Sequence, residues 1–478
     1  MISSGSDAPV GSSAASSSRP SSPKAGGKRA VLLVVHTNTY FVNLLPTARL
    51  LKRSRAYEPL FFFASVYPTL ERDREICKRD EIRFVGPDSA EGNRAGLVHL
   101  VARRLAARGW RTPLEHVDAL RATKARIRRL VADEGVVLMI FPSDNRYDIA
   151  AYIRAGHEAG VSSVVVPAFM AAKREWAEAM SGNPDYQAQR WPNRLAVALH
   201  PRWGHEHGGT TLVALPGEQL LAREWLGLAP PQPWTLHSGF ADAIALESLA
   251  VRAYCVREGL PPEQLVVTGS ADHDLMSEAL ADLPRRRAEL LERLGLPPGR
   301  RLLVTALPPD QLYGVGRKEC DFQVYADLVE FWMRSLARPS GFNVVVSLHP
   351  SVVREDWIQV ERWGAKIADD KISMLIPLCD LFVASISATI QWAVACGKPV
   401  LNYDVYRYRY PDYAHLEAVI ATEEQTEFVA TLDRLTSDDR LLEEMAFIQR
   451  RDAPAWGVLD GRAGDRLLCL FDRLTGAA

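Results

Sequence analysis

Residues 344–404 constrain the fold of this chain more than any other stretch. An apolar run, Val344–Leu348, meets His349-Pro350 and then a helical segment. A second run, Leu381–Ala384, meets Ser385-Ile386-Ser387-Ala388-Thr389, another helical segment, and Gly397-Lys398-Pro399-Val400-Leu401. Short β-branched runs that alternate with helices read as parallel strands buried on both faces. In such a sheet, ligands gather outside the carboxyl ends of the strands. A helix amino terminus adds free N–H groups and a positive dipole end. A His at one strand end and a hydroxyl-rich turn at the next therefore make an anion-binding half-site suited to a nucleotide.

The same alternation runs through most of the chain. Residues 1–28 are rich in Ser, Ala, Gly and Pro without a hydrophobic period, and read as a disordered tail. Strands are expected at Ala30–His36, Pro59–Ser65, Glu81–Val85, Gly135–Phe141 and Ser162–Val166. Ala95–Glu134 and Asp144–Ala159 read as helical. Residues 170–240 are rich in Trp, Pro and His with weak periodicity. They fit a lid, an acceptor-binding insertion or long connections. Further strands fall at Ala243–Ala245 and Leu265–Thr268. Gly295-Leu296-Pro297-Pro298-Gly299 then follows the helix Arg285–Leu294, and a second α/β unit starts at Arg301–Ala306. It continues through helices at Phe322–Leu336, Arg354–Trp363 and Ala388–Cys396, and two helices, Gln425–Leu435 and Asp439–Arg450, close it. The expected organisation is α/β, with two Rossmann-like doubly wound domains, 29–284 and 285–478, facing across a cleft.

Composition removes several function classes. The chain has 478 residues, is 47% hydrophobic and carries a net charge of −1, which gives no basic field for nucleic acid. Its six cysteines include no C-x-x-C pair, so zinc-site spacing is absent and a reducing cytoplasm is expected. No apolar run reaches the roughly 20 residues of a membrane span. A cytoplasmic protein follows as the expectation, with peripheral membrane association left open. His205-Glu206-His207 lacks the i, i+4 spacing of a helical metal site, so no metal is expected.

Four segments resemble the GT-B superfamily. They are Val34-Val35-His36 with Asn43-Leu44-Leu45-Pro46-Thr47; Leu265–Ser270 followed by Asp274; Ser347-Leu348-His349-Pro350; and Asp380–Ser387 followed by Gly397-Lys398-Pro399-Val400. The resemblance is to capsular and surface-polysaccharide glycosyltransferases and, more distantly, to non-hydrolysing UDP-N-acetylglucosamine 2-epimerases. It covers 265–404 well and 29–435 loosely. It implies a nucleotide-sugar donor, UDP- or CMP-linked, a glycan or lipid-linked acceptor and no other cofactor. It also assigns Gly269 and Ser270 to the donor side. The sequence departs from epimerases where a ribose-holding Glu is expected: Ser385–Trp392 carries no carboxylate, only the neutral Gln391. Pro167-Ala168-Phe169 stands where epimerases carry a second acidic cluster. An epimerase or hydrolase of the same fold, or an inactive nucleotide-sugar-binding protein, are the alternatives.

Individual residues divide by lobe. His349, Pro350, Ser385, Ser387, Ala388, Thr389 and Gln391 are expected to contact the nucleotide. Asp310 and Gln311, after the first strand of the second unit, face the same cleft, although Pro308-Pro309 makes an equally good rigid turn. Asp144 and His36 each end a strand of the first unit. A carboxylate or imidazole there would accept the acceptor's proton, and Asp144 ranks first. A helix cap is the commoner role for such an Asp and outweighs the base reading. Arg407 is the expected cation for the leaving phosphate. Trp191, Trp203 and Trp225 fit a sugar platform or a core.

Overall fold

The computed structural model describes residues 29–86, 113–167, 173–312, 320–348 and 354–477. His349, Pro350, Ala168, Phe169 and the 1–28 tail lie outside the described residues. Fifteen strands are numbered in chain order. The first lobe holds β1 (Arg29–Val35), β2 (Tyr57–Phe63), β3 (Arg83–Val85), β4 (Val136–Phe141), β5 (Ser162–Val165), β6 (Gly204–His207), β7 (Thr210–Val213), β8 (Ala243–Leu246) and β9 (Leu265–Val267). The second holds β10 (Arg301–Ala306), β11 (Phe342–Ser347), β12 (Lys366–Ala368), β13 (Leu381–Ala384), β14 (Val400–Tyr403) and β15 (Val419–Thr422).

Two parallel sheets result, ordered β3-β2-β1-β4-β5-β8-β9 and β12-β11-β10-β13-β14-β15. Most residues of these strands are apolar because each sheet is covered on both faces, with Glu58, Ser162, Ser163 and Asn343 among the exceptions. In β1, Val31, Leu33 and Val35 pack under helix Asn38–Ser54, while Leu32 and Val34 pack under helices Pro113–Glu134 and Ile149–Glu158. In the second lobe Leu303, Val344 and Val383 pack with Trp332 and Phe428, and Val304, Val345 and Phe382 pack with Leu290 and Ile390 on the other face. Strand order reverses between β1 and β4 in one sheet and between β10 and β13 in the other. These are the topological switch points, where an open α/β sheet leaves a crevice.

The expected α/β architecture is present, with three departures. Residues 173–234 form a packed insertion with its own core, including Ala177, Trp203, Leu212, Leu220 and Trp234. Its β6–β7 hairpin turns at Gly208 and Gly209, both at positive φ, which a two-residue hairpin of this hand requires. Residues Arg354–Trp363, expected as an α-helix, are a 3₁₀ helix. Finally, helix Ala463–Leu474 crosses back to the first lobe. Its Leu467, Leu470 and Phe471 fill the core against Val31 and Leu33. Asp472 accepts a hydrogen bond from the Tyr57 hydroxyl, and the Leu474 carbonyl accepts one from Ser162.

Candidate functional site

The first lobe's switch point holds a cavity of about 520 Å³, well within the usual range for small-molecule pockets. Thr37, Thr39 and Tyr40 follow β1, and Asn145, Arg146, Tyr147 and Asp148 follow β4; the insertion supplies Trp176, Tyr186, Gln219 and Arg223. All of these belong to the first lobe. The insertion is thus a wall of the cavity.

The segment after β4 was expected to be helical from Asp144. The helix starts instead at Ile149. Three polar side chains divert the backbone to the loop at 233–241. Ser143 Oγ donates to the Leu236 carbonyl at 2.7 Å, and Asn145 Nδ2 donates to the Pro233 and Thr235 carbonyls at 2.8 and 2.7 Å. The Asp144 carboxylate accepts from the Ser238 backbone and hydroxyl and from the Phe240 and Ala241 N–H groups. Tyr147 then sits at φ 51°. This arrangement corrects the expectation for Asp144. Its carboxylate is fully buried and occupied, so it holds the loop and leaves no free lone pair aimed at a substrate.

His36 is also poorly suited to act as a base. Its ring is buried and stacked on Tyr147 at 4.6 Å and Tyr152 at 5.6 Å. Burial pushes its pKa down from 6.5 to about 3. Such an imidazole stays neutral and is a weak proton acceptor at ordinary pH. The carboxylate on the described cavity wall is Asp148, one residue before the helix. Its side chain does not cap that helix and bonds only weakly to Thr123, at 3.4 Å.

The wall is otherwise cationic and rich in donors. Arg146 lies with its guanidinium carbon 3.5 Å from the centre of the Trp176 ring, a close cation–π contact. Arg223 is buried and donates to the Tyr147 carbonyl. Burial pushes both guanidinium pKa values down from their ordinary range. Burial also pushes Tyr40 up to about 12, so it remains an O–H donor.

The insertion is locked to bring Gln219 and Arg223 into place. Arg190 makes two hydrogen bonds to buried Glu218, at 2.6 and 2.9 Å. Asn193 accepts from the Gly217 N–H at 2.6 Å. A side chain at 217 would meet the Pro192 carbonyl at 2.4 Å, so glycine permits this approach.

At the second switch point the loops 307–312 and 385–389 follow the neighbouring strands β10 and β13. Ser385 is buried, and its hydroxyl has no partner among the described residues. Ile386 is a β-branched residue at φ 43°, a strained position held by its N–H donating to Asn402 at 2.9 Å. Ser387 and Thr389 hydroxyls bond each other at 2.8 Å, and Ala388 lies between them in the turn. The following helix, Ile390–Ala395, has only six residues, two fewer at the start than expected. Asp310 Oδ1 accepts from Leu312 N–H, and Gln311 N–H donates to the Tyr406 hydroxyl. Tyr406 and Tyr325 hydroxyls clamp the Pro309 and Pro308 carbonyls.

Other expected contacts fall elsewhere. Gln391 donates to Glu247 at 2.7 Å, as does Trp392 at 3.2 Å. Glu247 follows β8, so this trio joins the carboxyl ends of the two sheets. Sequence reasoning missed Glu247, whose one signal was its place just past a strand end. Arg407 sits between Asp321 and Glu424 and is paired there rather than directed at the turn. Gly269, at φ 79°, lies against Ala463 and Arg466 of the last helix. Ser270 caps helix Ala271–Ala281, and Asp274 accepts from the Ala463 and Gly464 N–H groups at 2.8 Å each. The Gly269–Asp274 segment thus docks the returning helix. Trp203 is core, whereas Trp191 and Trp225 are exposed. His207 pairs with Glu178, and among the described residues no cluster of three metal-ligating side chains occurs. No described helix is long and apolar enough to cross a membrane.

No family model and no curated protein matches the chain. Solved structures do. S. aureus MnaA with UDP is 11% identical, at a TM-score of 0.50 over 94% of this chain and 98% of that one. The Neisseria meningitidis UDP-GlcNAc 2-epimerase bound to UDP-GlcNAc is 12% identical, at 0.50 over 93% and 100%. A variant of the wall teichoic acid polymerase TagF is 9% identical, at 0.52 over 94% and 90%. At such identities the likeness speaks for architecture alone. Two parallel sheets, two switch points and contacts that join their carboxyl ends give the chain the two-lobed GT-B fold.

Proposed function

We propose that this chain is an enzyme that transfers a sugar from a nucleotide-sugar donor to a hydroxyl acceptor, in the assembly of a surface polysaccharide or related glycan. The observation that carries this reading is the first-lobe cavity, built wholly from one lobe at its own switch point. An enzyme that isomerises one substrate needs one binding place. A transferase needs a second, for the acceptor. The likeness to proteins solved with UDP and UDP-GlcNAc supports nucleotide-sugar chemistry.

In this reading the nucleotide, UDP or CMP, docks on the second lobe at Ser385–Thr389, opposite Asp310 and Gln311. The resemblance adds His349 and Pro350 there. The acceptor enters the first-lobe cavity. Asp148 replaces Asp144 as the carboxylate that takes the acceptor's proton. Catalysis rests on orientation and on closure of the lobes around both substrates. The Glu247–Gln391–Trp392 contact marks where the lobes meet.

A thermal-shift screen with UDP, GDP, CDP and CMP identifies the nucleotide, because a ligand of the native state raises Tm. The matching donor sugar, incubated without acceptor, should remain unchanged. Epimerised or free sugar would instead favour the epimerase or hydrolase reading, which the same structural neighbours support.

A further inference from the structure

We infer that the first-lobe cavity recognises its occupant through an anionic group, a phosphate or a carboxylate carried on a saccharide. This inference rests on the transferase reading only in calling that occupant the acceptor.

Arg146 is the central observation. Its guanidinium is largely buried against Trp176, and among the described residues no carboxylate lies within ion-pair distance of it. A desolvated cation without a counter-charge is costly, and buried charges are normally paired. Its polar neighbours do not supply the missing charge. Tyr40 and Tyr186 have raised pKa values, chiefly through burial, so both stay neutral phenols. Asp148 bonds Thr123 and acts on Arg223 instead. With two guanidinium groups against one carboxylate, the described wall carries a net charge of about +1. The donors outnumber the acceptors, which suits several anionic oxygens at once. The indole and phenol faces suit an attached ring.

The test uses the full chain and three probes: glucose 6-phosphate, glucuronate and glucose, titrated calorimetrically. At least one of the two anions should bind about tenfold more tightly than glucose, and Arg146→Met should weaken it about tenfold to a hundredfold. Whichever anion binds tells phosphate from carboxylate. Nucleotide affinity should be unchanged in the variant. Equal binding of all three probes, or anion binding indifferent to Arg146→Met, overturns the inference. If the variant does not fold, competition on the natural chain decides. Glucose 6-phosphate or glucuronate bound together with UDP or CMP supports the inference, and displacement by the nucleotide refutes it. Should no nucleotide bind while the anion still depends on Arg146, the transferase reading falls and this site stands.

Discussion

At the first lobe's switch point the loop after β4 is fastened by Ser143, Asp144 and Asn145, which together hold the backbone at 233–241. At the second, the loop after β13 is held by Asn402 and by hydroxyls that bond one another, and Ser385 Oγ has no partner among the described residues. Identical sheet logic thus gives two different surfaces. The first is a walled, cationic cavity whose polar groups are pre-set by buried carboxylates. The second is a short, strained turn with donors to spare. Enclosure suits selection of a varied partner by shape and charge. A strained turn with one unpartnered hydroxyl among the described residues suits a constant group such as a nucleotide phosphate.

The largest expected effect breaks the first surface. Asp144→Ala leaves three buried backbone N–H groups and one hydroxyl without their acceptor, and should cost about 3–4 kcal/mol in urea unfolding. A cost below about 1 kcal/mol would mean that the loop is fixed by other contacts.

Acid should act on the same lobe through His36. Its pKa is near 3 in the folded chain and 6.5 when unfolded. The unfolded chain therefore binds the extra proton first, and stability falls as pH drops below 6.5. At pH 4.5 the loss is about 2–3 kcal/mol. His36→Phe should flatten that acid limb. An unchanged slope would show that His36 is not the group responsible.

Arg190→Met comes next. Burial alone would raise Glu218, but its hydrogen bonds and the Arg190 charge outweigh that and hold it below 4.5. The pair's contribution is thus full above pH 4.5 and fades as pH falls. The variant should lose about 1–2 kcal/mol at pH 7 and less near pH 3. Weaker binding in the cavity should accompany this loss, since the pair positions Gln219 and Arg223.

The smallest effect probes the second surface. Ser385→Ala removes a hydroxyl with no internal partner, so Tm should barely move. UDP or CMP affinity should fall about threefold to tenfold, the net worth of one ordinary hydrogen bond. Equal affinity would place the nucleotide elsewhere.

Much of the scaffold was legible because it is local. Runs such as Val31–Val35 and Val344–Val346 declare strands buried on both faces, but the order of those strands within each sheet, and with it the switch points, came from the structure. The cavity was not legible. Asp144 and Asn145 look like helix caps, and the groups they hold lie about 90 residues away. Arg146 and Trp176 meet only because the insertion folds over the sheet. The hairpin β6–β7 hides behind His205-Glu206-His207, which lacks an apolar face. The Gly208-Gly209 pair was its one local signal.

The crossing of Ala463–Leu474 back to the first sheet has a consequence for synthesis. Leu467, Leu470 and Phe471 cover Val31 and Leu33, at the start of the described residues. On the ribosome that apolar surface stays bare until residues 467–471 have emerged. The first sheet is covered only then, and a cut that removes Ala463–Leu474 would damage the lobe that holds β1.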